Sequence, residues 1–215
     1  MRHTVLPVHQ ARSRESLARL LQATLEVLDR FGVEGTTIPR IAAHAGVSPG
    51  TIYRRFRNKD ALLREVCLRM LEENHRHTNE SLTAERCRNK SLAEIARLVI
   101  AGTLQGQRAH RGRLRALLFF TLQHPDSAFV RRSQELQEKT FRHVAELLLT
   151  RRHEVRHPHP ETAVRFAMLM VGLAAQGTII LPHNPSSLNR FLPEIDRQVE
   201  RELPRMFLRF LGLED

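Results

Sequence analysis

Two stretches of this 215-residue sequence hold side chains whose types and spacing could do chemistry. The first runs Ser48-Pro49-Gly50-Thr51-Ile52-Tyr53-Arg54-Arg55-Phe56-Arg57-Asn58-Lys59. From Thr51 to Lys59 it carries four basic residues and no acidic one. The forked guanidinium groups of Arg54 and Arg55 match phosphate or the edge of a guanine. Thr51 and Tyr53 hydroxyls can bind phosphate oxygens, and Lys59 can reach phosphate as a point charge. Gly50 has no side chain, so a partner's backbone can come close. This is equipment for recognising a polyanion.

The second stretch is His153-Glu154-Val155-Arg156-His157. On a helix, H-E-x-x-H sets two zinc ligands on one face beside a general base, which would make a metal-dependent hydrolase. Pro158 argues against it, because it biases His157 away from helical geometry. Arg151, Arg152 and Arg156 surround the motif with positive charge, which disfavours a cation. In a chain with 12 His the pattern is also a weak signal. His75 and His77, two apart, point to opposite sides of a helix. The expectation is no metal, no cofactor and no catalytic residue, with the hydrolase as an alternative.

The elements that position the first stretch are helices. Leu17, Leu20, Leu21, Thr24, Leu28 and Phe31 recur at helical spacing, predicting a helix from Arg14 to Phe31 with this face buried. Ser13 is its expected N-cap and Gly32 its stop. Thr37 can cap a second helix, Ile38 to Ala45, with Pro39 tolerated in the first turn. Gly46 then allows a sharp turn. Ser48 can cap a third helix with Pro49 in its favoured first position. Ile41, Ala42, Ala45, Val47 and Ile52 would pack the two together. Helix, tight turn, helix is the helix-turn-helix spacing.

Beyond Lys59 the apolar pattern predicts longer helices over Lys59–His77, a stretch opened by the capping box Ser91-Leu92-Ala93-Glu94, Gly112–Gln123, Asp126–Arg152, Glu161–Leu181 and Leu188–Leu211. Phe129, Leu136, Phe141, Val144 and Leu148 are expected to face inward in the fourth of these. Pro193 and Pro204 predict a late start or a kink in the last. The fold class is therefore all-α: a three-helix helix-turn-helix domain at 13–58, after a flexible tail at 1–12, and a larger helical domain at 59–215.

Composition agrees and excludes some classes. Lys and Arg total 34 against 23 acidic residues, a formal charge of +11. That excess favours an acidic partner. Residues 1–60 hold 10 basic and 5 acidic side chains, so this part is the more basic per residue. Two cysteines, Cys67 and Cys87, cannot build a disulfide scaffold and suit a reducing compartment. The first twelve residues lack the apolar stretch of a signal peptide. The longest apolar run, 166–175, is about half a bilayer span, so no membrane partner is expected.

The stretch FGVEGTTIPRIAAHAGVSPGTIYRRFRNKDALL, and residues 14–63 as a whole, resemble the N-terminal domain of the TetR (tetracycline-repressor-like) family of bacterial transcription regulators. Ala45-Gly46-Val47-Ser48 with Tyr53, Phe56, Lys59 and Leu62 carries the likeness. It implies that the helix after the turn reads the DNA major groove, with contacts at Thr37, Ser48, Pro49, Gly50, Thr51, Tyr53, Arg54, Arg55 and Lys59. Ile38-Pro39 stands where the family often has a polar phosphate contact, and Arg40 is the expected substitute. The resemblance further implies a cytoplasmic homodimer on a palindromic operator. The last two helices would form its interface, through Gly172, Ala175, Phe191, Ile195 and Val199. It also implies a ligand-binding and dimerisation domain that releases a repressor from DNA when an unidentified small-molecule effector binds. Candidate effector contacts are Phe119, Phe120, Gln123, Phe141, Met168 and Gln176. A ligand-independent DNA-binding protein of the same fold is the other alternative.

Overall fold

The computed structural model describes residues 8–123, 125, 127–180 and 194–213. The described residues form helices α1 (Val8–Gly35), α2 (Ile38–Ala45), α3 (Pro49–Tyr53), α4 (Lys59–Ser81), α5 (Leu92–Ala109), α6 (Arg111–Gln123), α7 (Ala128–Leu149), α8 (Pro160–Ala175) and α9 (Ile195–Phe210). No strand occurs among the described residues.

Two compact units result, and they do not follow chain order. One holds the chain up to Met70 together with Gly112–Phe129. The other holds Leu71–Arg111 and the chain from Val130 onward. The expected division at residue 58 therefore moves. The first half of α4 and nearly all of α6 belong with the helix-turn-helix, because their apolar faces pack there.

In the first unit Leu20, Leu21, Leu25 and Val27 of α1 pack on Ile38, Ile41, Ala42 and Ile52, and on Leu62 and Val66 of α4. Thr24 is fully buried and satisfies its hydroxyl by donating to the Leu20 carbonyl at 2.7 Å. α1 begins at Val8, so residues 8–12, expected in the tail, are helical and Arg14 is not the first helical residue. Residues 1–7 lie outside the described residues. Gly32 does break the helix, with φ 65° and ψ −174°. A further turn then runs on to Gly35. Phe31, expected inside, is 40 % exposed. It sits at this break, and the guanidinium of Arg40 covers its ring at 4.2 Å.

The start of α6 touches the back of α1. A Cβ on Gly112 would lie 2.9 Å from Asp29 Cα and nearer still to the Leu28 carbonyl oxygen. Real Cβ atoms do not approach backbone so closely, so the contact requires glycine. One residue on, Arg113 Nη2 pairs with Asp29 Oδ2 at 2.7 Å, both side chains largely buried. Cys67 lies beneath, and burial pushes its thiol up to about 12. Phe120 packs edge-on between Phe119 and Phe129.

The second unit has its own core, from Ile95, Ile100 and Leu104 of α5, Val144 and Leu148 of α7, Ala163 to Ala175 of α8, and Val199, Leu203 and Phe207 of α9. The Ser91 capping box is present. Arg151 holds the preceding loop by donating to the carbonyls of Cys87, Arg88 and Lys90. Phe141, expected inward, is exposed. The buried stripe of α7 here is Val144, Ala145, Leu147 and Leu148, and Phe141 lies beside it rather than on it.

α8 ends at Ala175 and continues as a π turn, Gln176–Ile180. Over Pro160–Ile180 the segment is long and apolar enough to cross a bilayer by length and composition, which the ten-residue run alone concealed. A core helix passes the same test, and Ala163, Val164, Ala167, Met168, Val171 and Ala175 face this unit's core. α9 starts late, at Ile195, and carries Pro204 inside it.

Glycine contacts make the first prediction. Gly112→Ala should cost about 1–3 kcal/mol through forced backbone shifts. Gly102→Ala and Gly106→Ala, whose added Cβ meets nothing, should be neutral or gain up to about 1 kcal/mol of helix propensity. Urea unfolding of the three variants checks the contrast.

Candidate nucleic-acid interface

The turn between α2 and α3 is built from local hydrogen bonds. Thr37 Oγ1 caps α2 by accepting from Arg40 N–H at 3.4 Å. Gly46 closes α2 in the left-handed region, φ 65° and ψ 34°, and its N–H returns to the Ala42 and Ala43 carbonyls. Val47 N–H also reaches the Ala42 carbonyl, at 3.0 Å. Ser48 Oγ then accepts from Thr51 N–H at 3.3 Å, and Pro49 opens α3.

α3 is five residues long, and its buried residue is Ile52. Ile52 packs with Ile41 and Ala42 in the first unit's core. The other helix positions are at least partly open to solvent, with Pro49, Gly50 and Tyr53 exposed and Thr51 half-buried, and Arg54 and Arg55 directly after the helix are exposed. Ser48 Oγ and Thr51 Oγ1 are 3.0 Å apart, and Arg54 Nη2 donates to Thr51 Oγ1 at 3.2 Å. The hydroxyls and the guanidinium therefore form one connected row. The expected recognition residues from Ser48 to Arg55 are gathered on this one exposed element.

The flanking cations are tethered. Lys59 is half-buried and its Nζ donates to the Val33 carbonyl at 3.3 Å, joining the start of α4 to the end of α1. Arg40 stacks on Phe31 and donates to the Gly35 carbonyl. Thr37 is exposed, and with its oxygen accepting from Arg40 its own O–H can still donate outward. One turn after Arg40, near the end of α2, His44 Nε2 meets Glu26 Oε2 at 2.7 Å. That hydrogen bond, with a second from Gln22, holds the Glu26 carboxyl below its ordinary value of 4.5. The contribution of ionised Glu26 to folding is thus complete above the ordinary carboxylate range and fades as pH falls through its lowered value.

The HEVRH segment is otherwise employed. Arg152–Glu154 is one turn of 3-10 helix and Val155 is extended, so His153 and His157 do not share a helical face. Glu154 Oε2 accepts from Leu92 N–H at 2.9 Å, capping α5. His75 bonds Thr140 and Asn79. Among the described residues no cluster of three metal-ligating side chains occurs.

The six expected effector contacts are divided between the two units. Phe119, Phe120 and Gln123 lie on α6 in the first unit, with Phe120 buried and the other two exposed. Phe141, Met168 and Gln176 lie in the second, where Met168 is core and Gln176 opens the π turn. A cavity of about 290 Å³ in that unit is lined instead by α5 and α9, through Ile100, Ala101, Leu104, Gln105, Arg108, Glu200 and Pro204. Nothing in the sequence joined these two helices, which are far apart along the chain.

The expected interface residues differ in burial. Ala175 and Val199 are buried in their own unit's core, and Ile195 packs against it. Gly172 is half-buried, and Phe191 lies outside the described residues. The solvent-facing apolar side chains on these helices are Phe166, Leu169, Met170 and Leu173 of α8 and Met206 and Phe210 of α9. The sequence signal was present: α8 is apolar on both sides, as a helix covered on both sides would be.

An all-helical chain that presents a short basic, hydroxyl-bearing helix after a glycine turn has the architecture of a helix-turn-helix DNA-binding regulator. Comparison with known proteins makes this specific. Residues 20–66 match the family model of bacterial regulatory proteins, tetR family. The chain is 29 % identical over 174 residues to the HTH-type transcriptional regulator BetI of Vibrio atlanticus (strain LGP32), covering 80 % of this chain and 82 % of that one. It is 41 % identical over 59 residues to the tetracycline repressor protein class A from transposon 1721 of Escherichia coli, 27 % of each chain. A crystal structure described as a TetR-family transcriptional regulator, from Mesorhizobium loti MAFF303099, has the same fold, with TM-score 0.67 and 21 % identity over 92 % of this chain and 97 % of that one. Residues 20–66 thus form a DNA-binding domain of the tetR-family type, in a chain similar along most of its length to an HTH-type transcriptional regulator.

The caps give a prediction for the element itself. Ser48→Ala removes the acceptor for Thr51 N–H and should destabilise the first unit by about 1 kcal/mol. Ser48→Asp, which restores an acceptor, should recover most of it. Hydrogen exchange at the amides of 50–53 reads the difference directly.

Proposed function

We propose that this regulator is a homodimeric repressor that binds a palindromic operator and leaves it when a small-molecule effector binds. The observation that carries the reading is the hydrogen-bonded row Ser48, Thr51, Arg54 along α3 and its two caps, with exposed Tyr53 and Arg55 beside it. Arg54 and Arg55 read base edges, and Tyr53, Thr37 and Lys59 hold phosphates. Pro49 and Gly50 let the backbone approach the groove. Arg40, exposed and tethered to the Gly35 carbonyl through Nη1, keeps further guanidinium donors for the phosphate contact that Ile38-Pro39 lacks. Site of action is the bacterial cytoplasm, where the DNA is.

A five-residue helix spans few base pairs, so two copies about one helical turn apart supply affinity. The apolar face of Phe166, Leu169, Met170 and Leu173 with Met206 and Phe210 is the surface by which two copies pair. Two α-helices from each copy then bury the second side of α8. A relative named as a tetracycline repressor supports repression as the mode of action. Effector binding in the second unit would act through α4, which starts beside Val33 and runs on into that unit. The effector must favour the non-binding arrangement, since equal affinity for both shifts nothing.

Footprinting on genomic fragments captured by the protein identifies the operator and tests the reading. On that operator, Arg54→Ala should lose about 1–3 kcal/mol and relax base preference at one position in each half-site. Tyr53→Phe should weaken cognate and random DNA alike and leave the salt dependence unchanged, because a neutral hydroxyl releases no counterion. Equal losses for both variants on both DNAs would refute this division of roles. For the dimer, Leu173→Glu should give a monomer in sedimentation with much weaker operator binding. Leu122→Glu on α6, an even more exposed leucine at 72 %, should leave the oligomeric state unchanged.

A further inference from the structure

The cleft between α5 and α9 has a definite chemical character. Its floor is Ile100 and Leu104, both buried. Ala101 and the Pro204 ring add apolar wall. Three polar side chains stand at its edge: Gln105, Arg108 and Glu200. Arg108 Nη1 donates to Glu200 Oε1 across the opening. An apolar pocket with a few convergent polar groups is the usual form of a small-molecule site. At about 290 Å³ it suits a small ligand.

The ion pair indicates which charge the ligand carries. Arg108 is 27 % exposed and Glu200 is 57 % exposed. Glu200 can therefore swing into water at little cost, whereas Arg108 is the partner held in the wall. An exposed pair of this kind contributes little by itself, so its exchange is easy. A carboxylate entering the cleft would take two parallel donors from the guanidinium, the stronger arrangement for that pair. An amine would have to displace the better-buried partner and then sit beside it. Pro204 further favours an apolar body, because its ring faces the cleft four residues after Glu200 on the same side of α9.

We propose that this cleft binds a small apolar carboxylate, gripped at its charged end by Arg108 and lying with its apolar part on Ile100 and Leu104. Glu200 is the intramolecular stand-in for the ligand's carboxylate and is expelled on binding. As a binding site this stands on the geometry alone. As the effector site it rests on the ligand-responsive reading above.

The test uses the full-length protein and benzoate and hexanoate as probes, against benzyl alcohol, hexan-1-ol and hexylamine. Calorimetry should show both carboxylates binding, and the alcohols and the amine at least tenfold more weakly. Arg108→Gln should weaken the carboxylates at least tenfold. Glu200→Gln, which removes the competing carboxylate, should strengthen them several-fold, a sign that a merely structural role for the pair does not predict. No binding of either carboxylate at millimolar concentration, equal binding of the alcohols, or an unchanged affinity in Arg108→Gln overturns the site. Operator binding measured with and without saturating benzoate separates the two claims. Carboxylate binding that leaves operator affinity unchanged keeps the site and overturns its role as the effector site.

Discussion

The start of α6 lies so close to the back of α1 that a side chain on Gly112 would collide with the Leu28 and Asp29 backbone. Much of the molecule's organisation depends on that approach. It sets Arg113 against Asp29 in a largely buried pair. It places Phe120 beneath the guanidinium of Arg64 on α4, 5.7 Å from the ring centre. The unit that carries the recognition helix is therefore completed by residues from the middle of the chain. The chain crosses between the units at 70/71, at 111/112 and at 129/130. Any strain reaching α6 arrives at α1 through backbone contact, where there is no soft side chain to absorb it.

What could be read from the sequence was what local physics decides. The caps at Thr37 and Ser48, the glycine turn at 46, the proline in the first turn of α3 and the capping box at Ser91 all appear as expected. Each depends on atoms within four residues. The beginning of α1 was not legible, because Ser13 looked like a cap although the chain already winds as a helix from Val8. Phe31 and Phe141 fitted helical stripes by spacing and are exposed, since spacing does not say how wide a stripe the neighbours cover. Gly112 looked like an ordinary helix start. Its role depends on α1, and no periodicity records a contact between segments so far apart.

The same distinction holds at the sites. The chemistry of Thr51 and Arg54 was legible, but the hydrogen bonds that join them to Ser48 came only with the geometry. The HEVRH pattern shows the reverse. Its residue types suggested a metal site, and the fold gives them structural work instead. Glu154 caps α5, and the neighbouring Arg151 holds three carbonyls of the loop before it. Small residues on α8 suggested close helix crossing, whereas Ala175 serves its own core and larger apolar side chains face outward. Composition and spacing name candidates, and burial decides between them.

α3 is anchored by one buried side chain, Ile52. Its other positions contribute almost nothing to the core. Substitutions at Pro49, Gly50, Tyr53, Arg54 or Arg55 can therefore change what the helix reads while the fold barely registers them. Such a surface can drift rapidly after gene duplication. New copies of this regulator could acquire new operators by a few point mutations, with the scaffold left intact.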